Sequence, residues 1–324
     1  MPRQHPATKP RLTHLAADIP ALPKKQPPAQ IRSRHAIFVC DAKRRHTFSA
    51  PTCFPLGKII LTQGDDIVVI GYMIYHLEAK MVTINCDMGE SFGIYAFGDD
   101  AACMPFVTHA NIACGFHASD PVVMRDTLRK AKAAGINVGS HPGLPDREGF
   151  GRRRMQMRRD EIYALIMYQT GALQALAAAE GLTLSHIKPH GALFGMAQNE
   201  MHVAEGVADA AEALGLPVIA YSDCCMSEVF TRRGIPFSCE FYADLDYGDD
   251  GRQIISRAHE SVAPEAVAEK VRRAVLEGMT TAVSGKDVSV VAESICVHSD
   301  TPNAIAVAKA VHQVLMDEAR LTTA

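Results

Sequence analysis

Along most of this chain the spacing of apolar residues switches between a strand period and a helix period. From Met81 onward, short apolar runs lead into polar loops and then into stretches with apolar residues three and four apart. Strands are expected at Val82 to Ile84, on the approach to Asn111 (Phe106, Val107, Ile112, Ala113), and at Ile136 to Ser140 and Leu184 to Ile187. Three more follow at Val218 to Tyr221, Phe237 to Phe241 and Ser294 to Val297. Helices are expected from Pro121 to about Ala134, from Asp160 to Gly181, around His202 to Leu214, near Ser227 to Arg233, from Pro264 to Glu277 and after Thr301-Pro302. Gly135, Gly215, Gly234 and Gly278 supply the stops, and Asp120 is placed to cap the first of these helices. About seven β/α units result, enough to close a parallel β/α barrel. The alternative is an open doubly wound sheet, which gathers its polar residues at one switch point, whereas here nearly every strand ends in one.

The first 80 residues differ. Residues 1–34 hold seven of the 18 prolines among many basic residues, a composition expected to stay disordered. Apolar runs at Ala36 to Cys40 and Ile67 to Tyr75 are candidate short strands. Residues 1–80 carry 12 Lys and Arg against five Asp and Glu, and residues 81–324 carry 21 against 31. Two readings fit this break: residues 1–80 are a basic, Pro-rich appendage, or they are upstream translation from a misplaced start with Met81 as initiator. Either way, residues 81–324 form the catalytic domain. Its acidic balance gives no basic field for nucleic acid. Nine cysteines without a CxxC pair suit a reducing, cytoplasmic setting, and no 18 apolar residues run together, so neither secretion nor a membrane span is expected.

Chemistry-bearing residues cluster where the strands are expected to end. Asp87 and Glu90 follow the first, His117 and Asp120 the second, and His141 and Asp146 the third. Lys188 and His190 follow the fourth, Asp244 comes after the strand at Phe237, and His298 and Asp300 follow the last. Ligands collect at that end of a parallel β/α sheet, because the loops converge there. One strand-terminal histidine is more often structural than catalytic; four on different strands point to a shared active site. Such a ring can hold a divalent metal or act as general acid and base, and Lys188 can neutralise an anion; both roles suit hydrolysis at a carbonyl or amide centre. No HExxH spacing forces the metal reading, and no GxxxxGK[ST] loop marks a P-loop ATPase. Gly149 to Arg154 is either an anion grip or a solvated basic loop, and Cys114 reads as a buried thiol.

Five motifs carry a resemblance. Asn85-Cys86-Asp87-Met88-Gly89-Glu90, His109 through Asp120, Gly139-Ser140-His141-Pro142-Gly143, His186-Ile187-Lys188-Pro189-His190-Gly191-Ala192-Leu193 and Ile295 through Asp300 resemble, in order and spacing, the LamB/YcsF lactam-utilisation family. The resemblance spans about residues 81 to 320. It implies a seven-stranded β/α barrel related to the glycoside-hydrolase and polysaccharide-deacetylase barrels. It also implies a cytoplasmic enzyme component that opens 5-oxoproline to glutamate with ATP hydrolysis, alongside partner subunits B and C that resemble the two halves of allophanate hydrolase. On that basis Asp87, His117, His141, Lys188 and His190 are the catalytic candidates, with Asp87, His117 and His141 as metal candidates. Glu90, Asn111, Asp120, Asp244, His298 and Asp300 are the substrate-binding candidates. The sequence departs from the family after Asp244, where Leu245 replaces a usual arginine and removes a bidentate anion clamp. The competing functions are a stand-alone metal-dependent amide or N-acyl hydrolase and a non-catalytic binding subunit.

If the domain begins at Met81, a chain starting there folds alone, with a cooperative thermal transition close to that of the full chain. Aggregation of that shorter chain, or loss of its transition, is the contrary result.

Overall fold

The computed structural model describes residues 58–63, 66–71, 81–254 and 261–321. It divides into two units, Met1–Leu77 and Glu78–Ala324. In the first, β1 (Lys58–Gln63) and β2 (Asp66–Gly71) form an antiparallel hairpin with Lys58 opposite Gly71. The strand expected at Ile67 to Tyr75 overlaps β2. The expectations for residues 1–34 and for Ala36 to Cys40 lie outside the described residues.

The second unit is a closed barrel of seven parallel strands. They are β3 (Thr83–Met88), β4 (His109–Ala113), β5 (Asn137–His141), β6 (Leu184–Ile187), β7 (Val218–Ala220), β8 (Phe237–Tyr242) and β11 (Ser294–His298), with β11 closing against β3. A hairpin, β9 (Met279–Thr281) and β10 (Asp287–Ser289), lies outside the barrel sheet. The helices are α1 (Asp100–Cys103), α2 (Pro121–Ala134), α3 (Arg159–Ala179), α4 (Gly191–Asn199), α5 (Met201–Leu214), α6 (Cys225–Arg233), α7 (Pro264–Glu277) and α8 (Ala304–Asp317). At the N-terminal end of the strands, Val82 donates to Arg320 O (2.7 Å) and bridges to Leu321, so both ends of the barrel segment meet there.

Successive strand residues point to opposite faces, and the barrel uses this to separate two environments. Ile84, Cys86 and Met88 of β3, Ala110 and Ile112 of β4, and Ile295 and Val297 of β11 join the apolar core beneath the helices. The alternate positions Asn85, Asp87, Asn111, His141, Lys188, Glu240 and Cys296 are buried as well and bond to one another across the interior. Registers set their levels: Asp87 pairs with Asn111 on one side and His298 on the other, and Ala113 pairs with His141.

The longest helix, α3, is the one described helix long and apolar enough to cross a membrane, yet here it packs on the barrel. Its buried residues Ile162, Leu165, Ile166, Gln169, Thr170, Leu173 and Ala177 fall on one face at three- and four-residue spacing. Two of them are polar because they serve the strand below. Gln169 accepts from Gly143 N (3.0 Å) and donates to Gly143 O (2.9 Å), pinning the turn after His141; Thr170 bonds Ser140 (2.9 Å).

Most expected helices occur within one or two residues of their expected bounds. The exceptions are the four-residue α1 and also α4, which starts directly on the Lys188-Pro189-His190 motif, contains Gly191 and Gly195, and has no side-chain cap to announce it. The α2 start is as expected: Asp120 Oδ1 accepts from Val122 N (2.8 Å) and Val123 N (3.1 Å), and its Oδ2 accepts from Gly93 N (2.8 Å). Replacing Asp120 with Ala is expected to cost about 1–2 kcal/mol in denaturant unfolding. An unchanged midpoint would count against the cap.

Candidate active site

Most barrel strands deliver polar residues to the C-terminal mouth, but local devices set their geometry. After β4 the chain turns through Gly115 (φ 94°) and Ser119 (φ 73°), with Gly115 N bonded to Ala118 O (2.9 Å), and this turn swings His117 over the barrel. A Cβ on Gly143 would come within 2.3 Å of His117 Nδ1, so only glycine leaves space for that ring. Gly139 does the same for His186, whose ring a Cβ would also meet at 2.3 Å. The Gly149 to Arg154 loop is tied down by Asp146, whose carboxylate accepts from Gly149 N (3.0 Å), Arg153 N (3.2 Å) and the Arg153 guanidinium. Arg153 foremost, with these amides, holds the Asp146 carboxyl at about 2.

At the centre lies a buried charge cluster. Lys188 Nζ donates to Asp87 Oδ1 (2.9 Å), Asn85 Oδ1 (3.1 Å) and Cys296 Sγ (3.1 Å), and sits 2.8 Å from Glu240 Oε1. Asn111 donates to Asp87 Oδ1 (2.7 Å) and Asn85 Oδ1 (2.8 Å), and faces His186 Nε2 at 2.6 Å through its own oxygen. Burial pushes the Asp87 carboxyl up, but His141 and Lys188 beside it outweigh burial and hold it well below the carboxylate range. Burial likewise opposes the Lys188 charge, and Asp87, Cys296 and Glu240 overcome it, so Lys188 stays an ammonium.

Beside the cluster stand four groups whose ligand atoms lie within 4.8 Å of one another: Glu90, His117, His141 and His190. The tautomers of two follow from their partners. His141 Nδ1 is 2.7 Å from Lys188 O and His190 Nε2 is 2.7 Å from Phe150 O. A carbonyl only accepts, so each of those nitrogens carries the proton and a neutral ring leaves a lone pair on the other. Those lone pairs, on His141 Nε2 and His190 Nδ1, face each other at 3.0 Å. Asp87 Oδ2 is 3.3 Å from the first and Glu90 Oε1 is 3.5 Å from the second. With both rings neutral, four acceptors converge where a cation belongs: a metal ion, or the proton that lets His141 donate to Asp87. His117 stacks on His190 (centroids 3.7 Å apart) with Nε2 3.2 Å from Glu90; its Nδ1, though buried, has no hydrogen-bond partner. Burial first, and the neighbouring imidazoles second, press His117 and His190 well below the usual histidine range, which keeps them as neutral ligands. Burial, with the Asp87 and Asp300 charges, raises Glu90.

Of the catalytic candidates, Asp87, His141, Lys188 and His190 line one narrow cleft, with Glu90, His298 and Asp300. His117 touches Glu90 and His190 at its edge. Three substrate-binding candidates stand elsewhere. Asn111 lies beneath Asp87 and orients it, and Asp120 caps α2. Asp244 grips His298 Nδ1 (2.9 Å), which overcomes the effect of burial and raises that histidine well above its usual range. Among the metal candidates, His117 and His141 share their ligand cluster with Glu90 and His190; Asp87 groups instead with Cys296 and His298, its Oδ1 already taken by Lys188 and Asn111. Cys114 is buried, and burial pushes its thiol up to about 12, as suits a structural thiol. Asn85, His186, Glu240, Tyr242 and Arg152 are additional residues of the site.

Residues 82–323 match the sequence profile of the LamB/YcsF family. The chain belongs to this family. The A subunit of a 5-oxoprolinase from Tolumonas auensis is 42% identical over 240 residues, 72% of this chain and 95% of that protein. A lactam utilization protein from Emericella nidulans is 41% identical over 73% of this chain and 94% of its own length. The crystal structure of the lactam utilization protein from Thermus thermophilus superposes with a TM-score of 0.70 at 38% identity, covering 75% of this chain and 99% of that one. In this LamB/YcsF chain Leu245 lines the cleft beside Tyr242, so the departure noted in the sequence falls on the wall of the site.

The buried Lys188 compensates two carboxylates at once. Lys188→Met is expected to lower stability by about 3–5 kcal/mol in denaturant unfolding, because it strands Asp87 and Glu240. Adding Glu240→Gln should recover part of the loss; a fully stable single variant would contradict the arrangement.

Proposed function

We propose that this chain is the lactam-opening component of a 5-oxoprolinase, hydrolysing the ring amide of 5-oxoproline to give glutamate. The similarity to proteins bearing that name, over nearly their whole length, supports the substrate. What supports hydrolysis here is the convergence of Glu90, His117, His141 and His190 beside an ionised Asp87. A five-membered lactam is a stabilised amide. Opening it needs a nucleophilic water, a polarised carbonyl oxygen and a proton for the departing nitrogen. Asp87, an anion paired with the Lys188 ammonium, is the group suited to take the proton of that water. Asn111 fixes the carboxylate from below, so its free edge keeps one orientation.

The facing lone pairs of His141 and His190, the His117 ring with Nε2 3.2 Å from Glu90, and the Glu90 carboxyl fit a divalent metal. A metal held there would act as a Lewis acid toward a carbonyl and lower the pKa of bound water. The relatives are named as one lettered component of 5-oxoprolinase, which supports a multi-subunit enzyme; in it we assign coupling to ATP to partner subunits B and C. The chain carries no P-loop signature of its own. The seven described cysteines are all unpaired, in keeping with a reducing, cytoplasmic location.

Glutamate release from 5-oxoproline is expected only when the purified chain is mixed with ATP and both partner subunits. Metal analysis should find about one divalent ion per chain, lost in a His141→Ala, His190→Ala variant. A metal-loaded chain that releases no glutamate in any mixture would favour the stand-alone hydrolase reading instead.

A further inference from the structure

The cleft is lined by the cations Lys188 and Arg152 and by His298, whose Nδ1 is held by Asp244, and these are in different circumstances. Lys188 is buried beneath Asp87, surrounded by Asp87, Glu240, Asn85 and Cys296, so its charge is spent inside the barrel. Arg152 stands at the mouth with 19% of its side chain exposed, its guanidinium 5.2 Å from the Phe150 ring and Nη2 3.6 Å from Asp300 Oδ2. Its backbone is well fixed. Arg152 N bonds Gly149 O (2.9 Å), Gly151 N bonds Asp146 O (2.8 Å), and Gly151 O receives Ala192 N (2.9 Å) at the start of α4. The loop thus presents a guanidinium to the cleft from a rigid base. Leu245, Phe194 and Tyr242 supply the apolar part of the lining.

We infer that Arg152 is the residue that binds the carboxylate of the substrate, exchanging its ion pair with Asp300 for a bidentate pair with the ligand. The inference rests on the lactam reading above and specifies which end of the ligand lies where. The carboxylate goes to Arg152 at the mouth, and the ring amide lies inward, toward Asp87, His141 and His190. A planar guanidinium suits a carboxylate, whereas an ammonium in its place keeps the charge and loses the fork. Leu245 leaves that part of the lining apolar and His298 is already engaged by Asp244, so Arg152 is the described cleft residue that offers an anion a planar fork.

The test uses the complete enzyme with its partner subunits and ATP. KM for 5-oxoproline and the inhibition constant of 5-oxoprolinamide, in which a neutral amide replaces the carboxylate, are compared for the wild type, Arg152→Gln and Arg152→Lys. The wild type is expected to favour the acid over the amide. Arg152→Gln should raise KM about 10- to 100-fold, leave kcat within a few-fold and abolish the preference, while Arg152→Lys keeps part of it. Leu245→Arg added to Arg152→Gln should restore preference for the acid. Equal weakening of both ligands in Arg152→Gln would show a structural role and overturn the assignment, as would an unmoved KM. If the wild-type enzyme releases no glutamate at all, the substrate reading fails and this assignment fails with it; normal turnover with an unmoved KM sinks the assignment alone.

Discussion

A lysine buried between two carboxylates sets the terms for the rest of this structure. Removing Lys188, Asp87 and Glu240 from water is costly, and their mutual attraction offsets that cost only if the remaining lone pairs and protons are satisfied. Around Asp87 and Lys188 the barrel meets this condition by committing its inward face to polar residues, whereas the Glu240 oxygens have no hydrogen-bond partner and are offset by the Lys188 charge 2.8 Å away. Asn85 and Asn111 present oxygens and amide protons in complementary order, and Ser294 receives the amide of Asn85 (2.8 Å). One consequence is that the apolar core of the protein is not inside the barrel but between the strands and the helices. Another is that Asp87 reaches the floor of the cleft already ionised and already oriented.

The histidine cluster obeys a related logic. Backbone carbonyls of Lys188 and Phe150 take the outer protons of His141 and His190, so two rings on different segments show the same deprotonated side to one point. Such second-layer bonds fix both tautomer and ring angle. The segments that supply them are themselves anchored, one by strand pairing and the other by the Asp146 clamp. Preorganisation here is therefore a property of loops that the chain has stiffened, as much as of the barrel.

Much of this was legible in the sequence, and the misses follow a pattern. The seven strands and the histidines at their ends showed through because apolar runs stop at Gly or Pro beside a polar residue. Asn85, His186, Glu240 and Cys296 were overlooked because they lie within apolar runs rather than after them. Yet Asn85, His186 and Cys296 each stand two residues before a recognised candidate, and the strand period alone places them on the inward face. Asp120 and Asp244 show another side of this: an acidic residue in a loop beside the site can cap a helix or hold a histidine without lining the cleft. Arg152 obeys no period at all. Its placement depends on Gly151 (φ 63°), Phe150 (φ 54°) and the Asp146 clamp, a tertiary arrangement that composition could only suggest.

The meeting of Val82 with Arg320 and Leu321 has a bearing on architecture that catalysis does not reveal. The two ends of the barrel segment come together at the face remote from the cleft, so the order in which the strands are synthesised is not imposed by the closed sheet. A circularly permuted chain, joined there by a short linker and reopened in an exposed loop between a helix and the next strand, would preserve every strand pair and every interior contact. The barrel is topologically a ring, and its present starting point is one of several that the same interior could sustain.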